Sequence, residues 1–74
     1  MNITDFVQKF AEQFEETELS IFTPQTKFRE LDEWSSLTAL SIIAMIDEEY
    51  GMSLKSNDLM TSETVEDIYR CISE

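Results

Sequence analysis

The chain has 74 residues, and 5 Lys and Arg against 16 Asp and Glu give it a net charge of −11. This acidity argues against nucleic acid and against an anionic membrane surface, and it favours basic protein partners. The length predicts one domain over residues 1–74, and the apolar fraction of 42% suffices for one small core. We expect this domain to be a monomer. The single cysteine, Cys71, allows no internal disulfide, which favours a reducing compartment and a cytoplasmic protein.

The first predicted helix runs from about Ile3 to Glu16. Its apolar residues recur at helical spacing and form one stripe: Ile3, Phe6, Val7, Phe10, Ala11 and Phe14. A long loop follows, because neither alternation nor a helical period holds the apolar residues between positions 17 and 34. Those residues are Leu19, Ile21, Phe22, Phe28, Leu31 and Trp34. We expect the loop to wrap across the helix ends and to cover the core with these side chains.

The second predicted helix begins near Ser35 or Ser36 and runs to about Tyr50. Gly51, the only glycine, follows it and suits a left-handed helix cap. The spacing predicts a core stripe, widened by Ala39 and Ile42, that consists of Leu37, Leu40, Ile43, Ile46 and Tyr50.

Two more helices complete the predicted fold. Ser56-Asn57-Asp58 offers caps for a short helix that carries Leu59 and Met60. The last helix starts near Ser62 to Thr64, and its apolar face consists of Val65, Ile68, Tyr69 and Ile72. Because no stretch alternates with a period of two residues, the fold class is all-α: a small four-helix bundle of three main helices and one short one.

The sequence gives little support for a catalytic site or a metal site. The chain has no histidine and no G-x-S-x-G motif, so we predict that it is not an enzyme. Asp47-Glu48-Glu49 lacks the spacing of a calcium loop, and successive helical residues point in different directions, so no metal site is predicted. Cys71 precedes Ile72 in the last helix, where we expect a buried or half-buried small side chain.

The adjacent serines Ser35 and Ser36 stand at the start of the second helix. A cap explains one serine and does not need two. A serine at the first helical position is also well placed to hold a phosphate ester, because the helix dipole favours negative charge there. The residues allow two interpretations: both serines are caps, or one is a cap and the other holds a phosphate ester.

The segment Ser36-Leu37 with the following TALSIIAMIDEEYGMSL resembles the carrier-serine helix of acyl carrier proteins, and the resemblance extends over residues 28–72. It implies that Ser36 is esterified with 4′-phosphopantetheine, whose thiol holds an acyl group as a thioester. It also implies two kinds of partner, a phosphopantetheinyl transferase and acyl-processing enzymes with basic patches. The pathway would be fatty-acid, polyketide or another dedicated biosynthesis, and an aminoacyl or peptidyl carrier is the alternative.

Two positions depart from the family pattern. The family's D-S-L motif reads Ser35-Ser36-Leu37 here, so Ser35 stands where the family has aspartate. In the family this aspartate assists the modifying transferase. A carrier-like interaction module without an arm is therefore a second alternative. Ser41 replaces a residue that is acidic in many family members. The resemblance implies a partner surface of Leu37, Ser41, Ala44, Asp47, Glu48 and Glu49. An acyl chain sheltered between the helices would be lined by residues that also suit an ordinary core: Ile42, Ile46, Leu59, Met60 and Val65.

Overall fold

A computed structural model describes residues 2–73, which form four α-helices and, within that range, no strand. The helices are α1 (Ile3–Ala11), α2 (Ser36–Tyr50), α3 (Ser56–Thr61) and α4 (Val65–Ser73). The helix α1 packs against α2 and α4, and α3 packs against α4. The predicted all-α class, with three main helices and one short one, is confirmed.

An aromatic cluster forms the centre of the core. The ring of Phe10 lies 5.6–6.2 Å, between centroids, from four other rings: Phe6, Phe14, Phe22 and Phe28. The apolar face predicted for α4 is confirmed, since Val65, Ile68 and Ile72 are buried and Tyr69 packs against the core. The side chains with the least exposure are Phe6, Phe10, Phe28, Ile42, Ile46, Ile68 and Val65.

The helix α1 ends at Ala11, so the predicted end at Glu16 is wrong. Phe14 stays buried in a tighter turn, in which its N–H donates to the carbonyl of Ala11 at 3.0 Å. Beyond it, the N–H groups of residues 15, 16 and 17 donate to the carboxylate of Glu33 at 2.6, 3.0 and 2.8 Å. These N–H groups therefore bond a side chain far along the chain and not the carbonyls of a continuing helix.

The loop from residue 12 to residue 35 contains two 3₁₀ turns, Leu19–Ile21 and Phe28–Glu30. Phe22 and Phe28 are buried, and Leu31 and Trp34 pack partly against the core, as the wrapping loop predicts. Leu19 and Ile21 are 57% and 49% exposed, so they do not cover the core. They belong to the 3₁₀ turn Leu19–Ile21, in which no residue is buried.

The buried face of α2 differs from the predicted stripe. Leu37 and Leu40 are 75% and 62% exposed, and the buried residues are Ile42, Met45 and Ile46. Each residue turns an α-helix by about 100°, so Leu37 and Leu40 lie about 140° and 160° around the helix from Ile42. Of the predicted stripe, Ile46 is buried, while Ile43 and Tyr50 are partly buried against the core.

Three local predictions have mixed outcomes. Gly51 caps α2 in the left-handed region, with φ of 64°, as predicted. The helix α3 begins at Ser56, but its N-cap is Lys55, and no side chain caps it. Cys71 is exposed and not buried, because it follows Arg70 and precedes Ile72 on a helix whose adjacent residues are turned by about 100°.

Candidate functional site: the start of helix α2

Ser35 is the cap of α2. Its backbone is extended, with φ −157° and ψ 172°, and its Oγ accepts a hydrogen bond from the N–H of Thr38 at 3.2 Å. Its carbonyl accepts the N–H of Ala39 at 2.9 Å. The hydroxyl of Thr38 donates to the carbonyl of Glu33 at 3.1 Å, which fixes the approach of the chain to the helix. Ser35 therefore performs the capping that the residue pattern allows.

Ser36 is the first residue of α2 and is exposed. Within residues 2–73, its hydroxyl makes no hydrogen bond, and the N–H groups of Ser36 and Leu37 have no acceptor. Such unpaired N–H groups, together with the helix dipole, favour an anion at this end of a helix. One serine of the pair is therefore used by the fold, and the hydroxyl of the other is free.

A groove of about 430 Å³ lies beside Ser36, between the start of α2 and α3. Its apolar wall consists of Trp34, Ala39, Leu40, Ile43, Leu59 and Met60. Trp34 is held in place by an edge-on contact with Phe28, at 4.9 Å between ring centroids, and by stacking on Phe14 at 6.4 Å. The polar part of the lining consists of three serines and one cation: Ser35, Ser36, Ser56 and Arg29.

The residues that the sequence suggested for an acyl shelter are divided between the core and this groove. Ile42, Ile46 and Val65 are fully buried among other core side chains. Leu59 and Met60 line the groove, and Met60 is 69% exposed. The space beside Ser36 is thus a groove at the surface. Three residues that line it, Arg29, Trp34 and Leu40, were not predicted from the sequence to be site residues.

The predicted partner residues extend along α2 from Ser36. Leu37, Ala44, Asp47 and Glu48 are exposed, whereas Ser41 is half-buried. Ser41, Ala44 and two of the acidic residues line a shallow depression of about 260 Å³ between α1 and α2.

Glu49 and Leu40 differ from the sequence-based description of the partner surface. The carboxylate of Glu49 is exposed but lies 3.5 Å from Nζ of Lys9, an ion pair that joins α2 to α1. Leu40 was predicted to be buried, yet it is exposed between Leu37 and Ala44 on the same face of the helix. Its spacing of three residues from Leu37 and four from Ala44 is the signal that could have placed it there.

Glu33 connects the loop that follows α1, at residues 15–17, to the residues just before the serine pair. Its carboxylate accepts the three backbone N–H groups described above and the hydroxyl of Thr17 at 2.8 Å. Partial burial alone would raise the pKa of this carboxyl, but the hydrogen bonds from Thr17, Glu16 and Glu15 outweigh it and hold the pKa below its ordinary value. The carboxylate is therefore the form that the fold prefers.

Helix α4 has a similar carboxylate at its start. The Oδ2 of Asp67 accepts the N–H groups of Glu63 and Thr64 at 3.0 and 3.1 Å. The hydroxyl oxygen of Thr64 accepts the N–H of Asp67 at 3.2 Å in return, which forms a reciprocal cap. These backbone hydrogen bonds lower the pKa of Asp67.

Residues 2–73 contain no group of three or more His, Cys, Asp or Glu side chains placed to hold a metal ion. None of the helices described here is long and apolar enough to cross a membrane.

These features define a small helical domain that presents a free serine hydroxyl, that of Ser36, at the start of α2 and beside an open groove. The family model for the phosphopantetheine attachment site matches residues 4–72. The chain therefore belongs to this family of carrier domains, and the predicted kinship is confirmed. No curated protein and no solved structure shows a significant match to the chain.

Members of this family carry covalently attached 4′-phosphopantetheine, and they interact with the enzymes that modify them and process their cargo. The domains themselves are generally not catalytic. The residues at the start of α2 fit this group, because a phosphodiester needs an accessible hydroxyl and a favourable electrostatic position. Ser36 offers the hydroxyl, the unpaired N–H groups of Ser36 and Leu37 offer the position, and the groove offers space for an elongated arm.

Proposed function

We propose that the protein is an acyl carrier and that Ser36 is the attachment residue of its phosphopantetheine arm. The proposal rests on the different environments of the two hydroxyl groups in the serine pair. The Oγ of Ser35 is bonded to the N–H of Thr38, while the Ser36 hydroxyl is exposed and has no hydrogen-bond partner among residues 2–73. A transferase can therefore reach Ser36 without opening the cap.

When bound, the arm supplies a terminal thiol that holds the cargo as a thioester. The protein contributes a stable platform, a free hydroxyl and a surface for partners. We propose that it acts as a monomer in the cytoplasm, in fatty-acid, polyketide or another dedicated biosynthesis. The acidic character of the chain favours acyl cargo over aminoacyl or peptidyl cargo.

The proposed partner surface is the outward side of α2, which begins next to the arm. It combines apolar side chains with carboxylates: Leu37, Leu40, Ser41, Ala44, Asp47, Glu48 and Glu49. The transferase and the acyl-processing enzymes would present basic residues to it, because opposite charges steer association. Asp47 and Glu48 make no ion pair within residues 2–73, so their carboxylates are free for a partner, whereas that of Glu49 is shared with Lys9.

Intact-mass measurement during incubation with coenzyme A and a promiscuous phosphopantetheinyl transferase tests the proposal. The wild-type chain should gain the mass of one arm, Ser36→Ala should gain none, and the matched variant Ser35→Ala should still be modified. Ser35→Asp should be modified faster, because it restores the charge that the family places before the serine.

An arm that still attaches to Ser36→Ala would overturn the site. If no transferase tested attaches an arm to the folded wild-type chain, the result would favour an interaction module without an arm. This is the second candidate function, because Ser35 replaces the aspartate that precedes the carrier serine in the family.

A further inference from the structure

The groove beside Ser36 contains a single cationic side chain, that of Arg29. The chain has only five Lys and Arg residues. The two ion pairs found within residues 2–73 use Lys9 and Arg70 and leave Arg29 without a carboxylate partner. Lys27 and Lys55 likewise take part in neither of these ion pairs within residues 2–73, but of the three unpaired cations only Arg29 lines the groove beside Ser36.

The fold holds Arg29 in this position from two sides. It belongs to the 3₁₀ turn Phe28–Glu30, whose first residue, Phe28, is fully buried and anchors the turn in the core. Its Nη1 donates to the carbonyl oxygen of Met60, at 2.9 Å, in α3. The loop, the groove edge and α3 are thereby connected through one side chain.

The hydrogen bond to Met60 uses one of the five N–H donors of the guanidinium, so four remain. A guanidinium binds phosphate oxygens well, because its planar fork can donate two parallel hydrogen bonds to one anion. The phosphodiester is the charged group of a phosphopantetheine arm, and attachment at Ser36 would place it at the same groove as Arg29.

We propose that Arg29 is a binding residue for the phosphodiester of the arm. In this arrangement Arg29 neutralises the charge that the modification adds to an already acidic protein. It also holds the start of the arm toward the groove formed by Trp34, Leu40 and Met60. The inference rests on the proposed function, since it requires an arm on Ser36.

The first test compares the unmodified and the arm-bearing wild-type protein by NMR with ¹⁵N labelling. Attachment of the arm should shift the Nε–Hε resonance of Arg29 and leave that of Arg70 in place. Arg70 is the internal control, because its guanidinium lies on α4 and pairs with Glu66 at 3.6 Å. This comparison needs no substitution, so it does not depend on how a variant folds.

The second test follows the ³¹P resonance of the phosphodiester in the arm-bearing protein. Arg29→Gln should shift this resonance and reduce its dependence on salt, whereas Arg70→Gln, which removes the same charge elsewhere, should change neither. Arg29→Lys keeps the charge without the fork and should restore the resonance only in part.

Two outcomes would overturn the inference. One is an Arg29 resonance that stays unchanged when the arm is attached, and the other is a ³¹P resonance that Arg29→Gln leaves unaltered. The second outcome, together with a shifted Arg29 resonance, would mean that Arg29 contacts the amide part of the arm. Failure of the proposed function is distinguishable, because the wild-type chain would then gain no arm mass at all.

Discussion

The two serines at the start of α2 should differ in their effect on stability. Ser35→Ala removes the hydrogen bond from the Thr38 N–H and the contact of 3.2 Å between the two hydroxyl oxygens. Loss of a serine cap costs about 0.5–2 kcal/mol. Since this cap is solvent-exposed and water can replace the lost acceptor, we expect about 1 kcal/mol. In a domain of this size that corresponds to a fall in melting temperature of about 4–8 °C.

Ser36→Ala should have the opposite sign. Its hydroxyl has no hydrogen-bond partner within residues 2–73, and alanine is a better helix former than serine by about 0.5 kcal/mol. Ser35→Asp keeps a capping oxygen and adds a charge that the helix dipole favours, by about 0.3–1 kcal/mol, although the surrounding acidic residues oppose it. Its melting temperature should therefore stay close to that of the wild type.

Thermal and urea unfolding of the unmodified proteins, followed by circular dichroism at 222 nm for the α-helices, measures these differences. The unmodified state is needed so that an arm on one variant does not confuse the comparison. Equal losses for Ser35→Ala and Ser36→Ala, or a larger loss for Ser36→Ala, would refute the assignment of the cap to Ser35 alone.

Three further predictions concern single side chains. Glu33→Gln should lower stability at neutral pH and flatten its loss in acid, measured by urea unfolding at several pH values with Glu18→Gln as control. The lowered pKa of Glu33 means that its contribution is present above its ordinary value of 4.5 and disappears as the pH falls through the lowered value; equal slopes for both variants would contradict this. Glu48→Lys should slow association with a basic partner enzyme at low salt and have less effect at high salt, measured by stopped-flow binding; an equal loss at both would indicate an apolar contact. Tyr50→Phe should leave stability unchanged or raise it by up to about 1–3 kcal/mol, because the buried hydroxyl has no hydrogen-bond partner within residues 2–73; a clear loss by thermal unfolding would show that the hydroxyl is bonded.

The predictable parts of the fold are those that depend on neighbouring residues. The face of α4 follows from Val65, Ile68 and Ile72, which lie three and four residues apart, and the glycine after Tyr50 marks the end of α2. The end of α1 could not be read in this way. After Ala11 the chain does not continue as a helix, and the N–H groups of residues 15, 16 and 17 donate to the carboxylate of Glu33, which lies 18, 17 and 16 positions further along the chain. No local pattern identifies a carboxylate as the acceptor of a distant backbone.

The outward side of α2 was mispredicted for a different reason. Apolar residues occur around most of the circumference of this helix, so several stripes fit the helical period equally well. Only packing decides that Ile42, Met45 and Ile46 face the core while Leu37 and Leu40 face outward. The exposed leucines then lie beside Ser36, where a carrier would need apolar contact with its partners. Arg29 was beyond sequence reasoning, because only the folded loop brings it to the groove.

Residues 33–38 show why the fold tolerates serine where the family has aspartate. The side chain of Glu33 accepts the N–H groups of residues 15–17 in the loop after α1. Its carbonyl accepts the hydroxyl of Thr38, and Thr38 also donates its N–H to Ser35. The start of α2 is thus fixed by hydrogen bonds that need an oxygen at position 35 and do not need a charge. If Ser36 carries the arm as we propose, serine at position 35 removes a negative charge next to the attachment residue and keeps the cap, so its effect should appear in the rate of modification and not in the structure of the site.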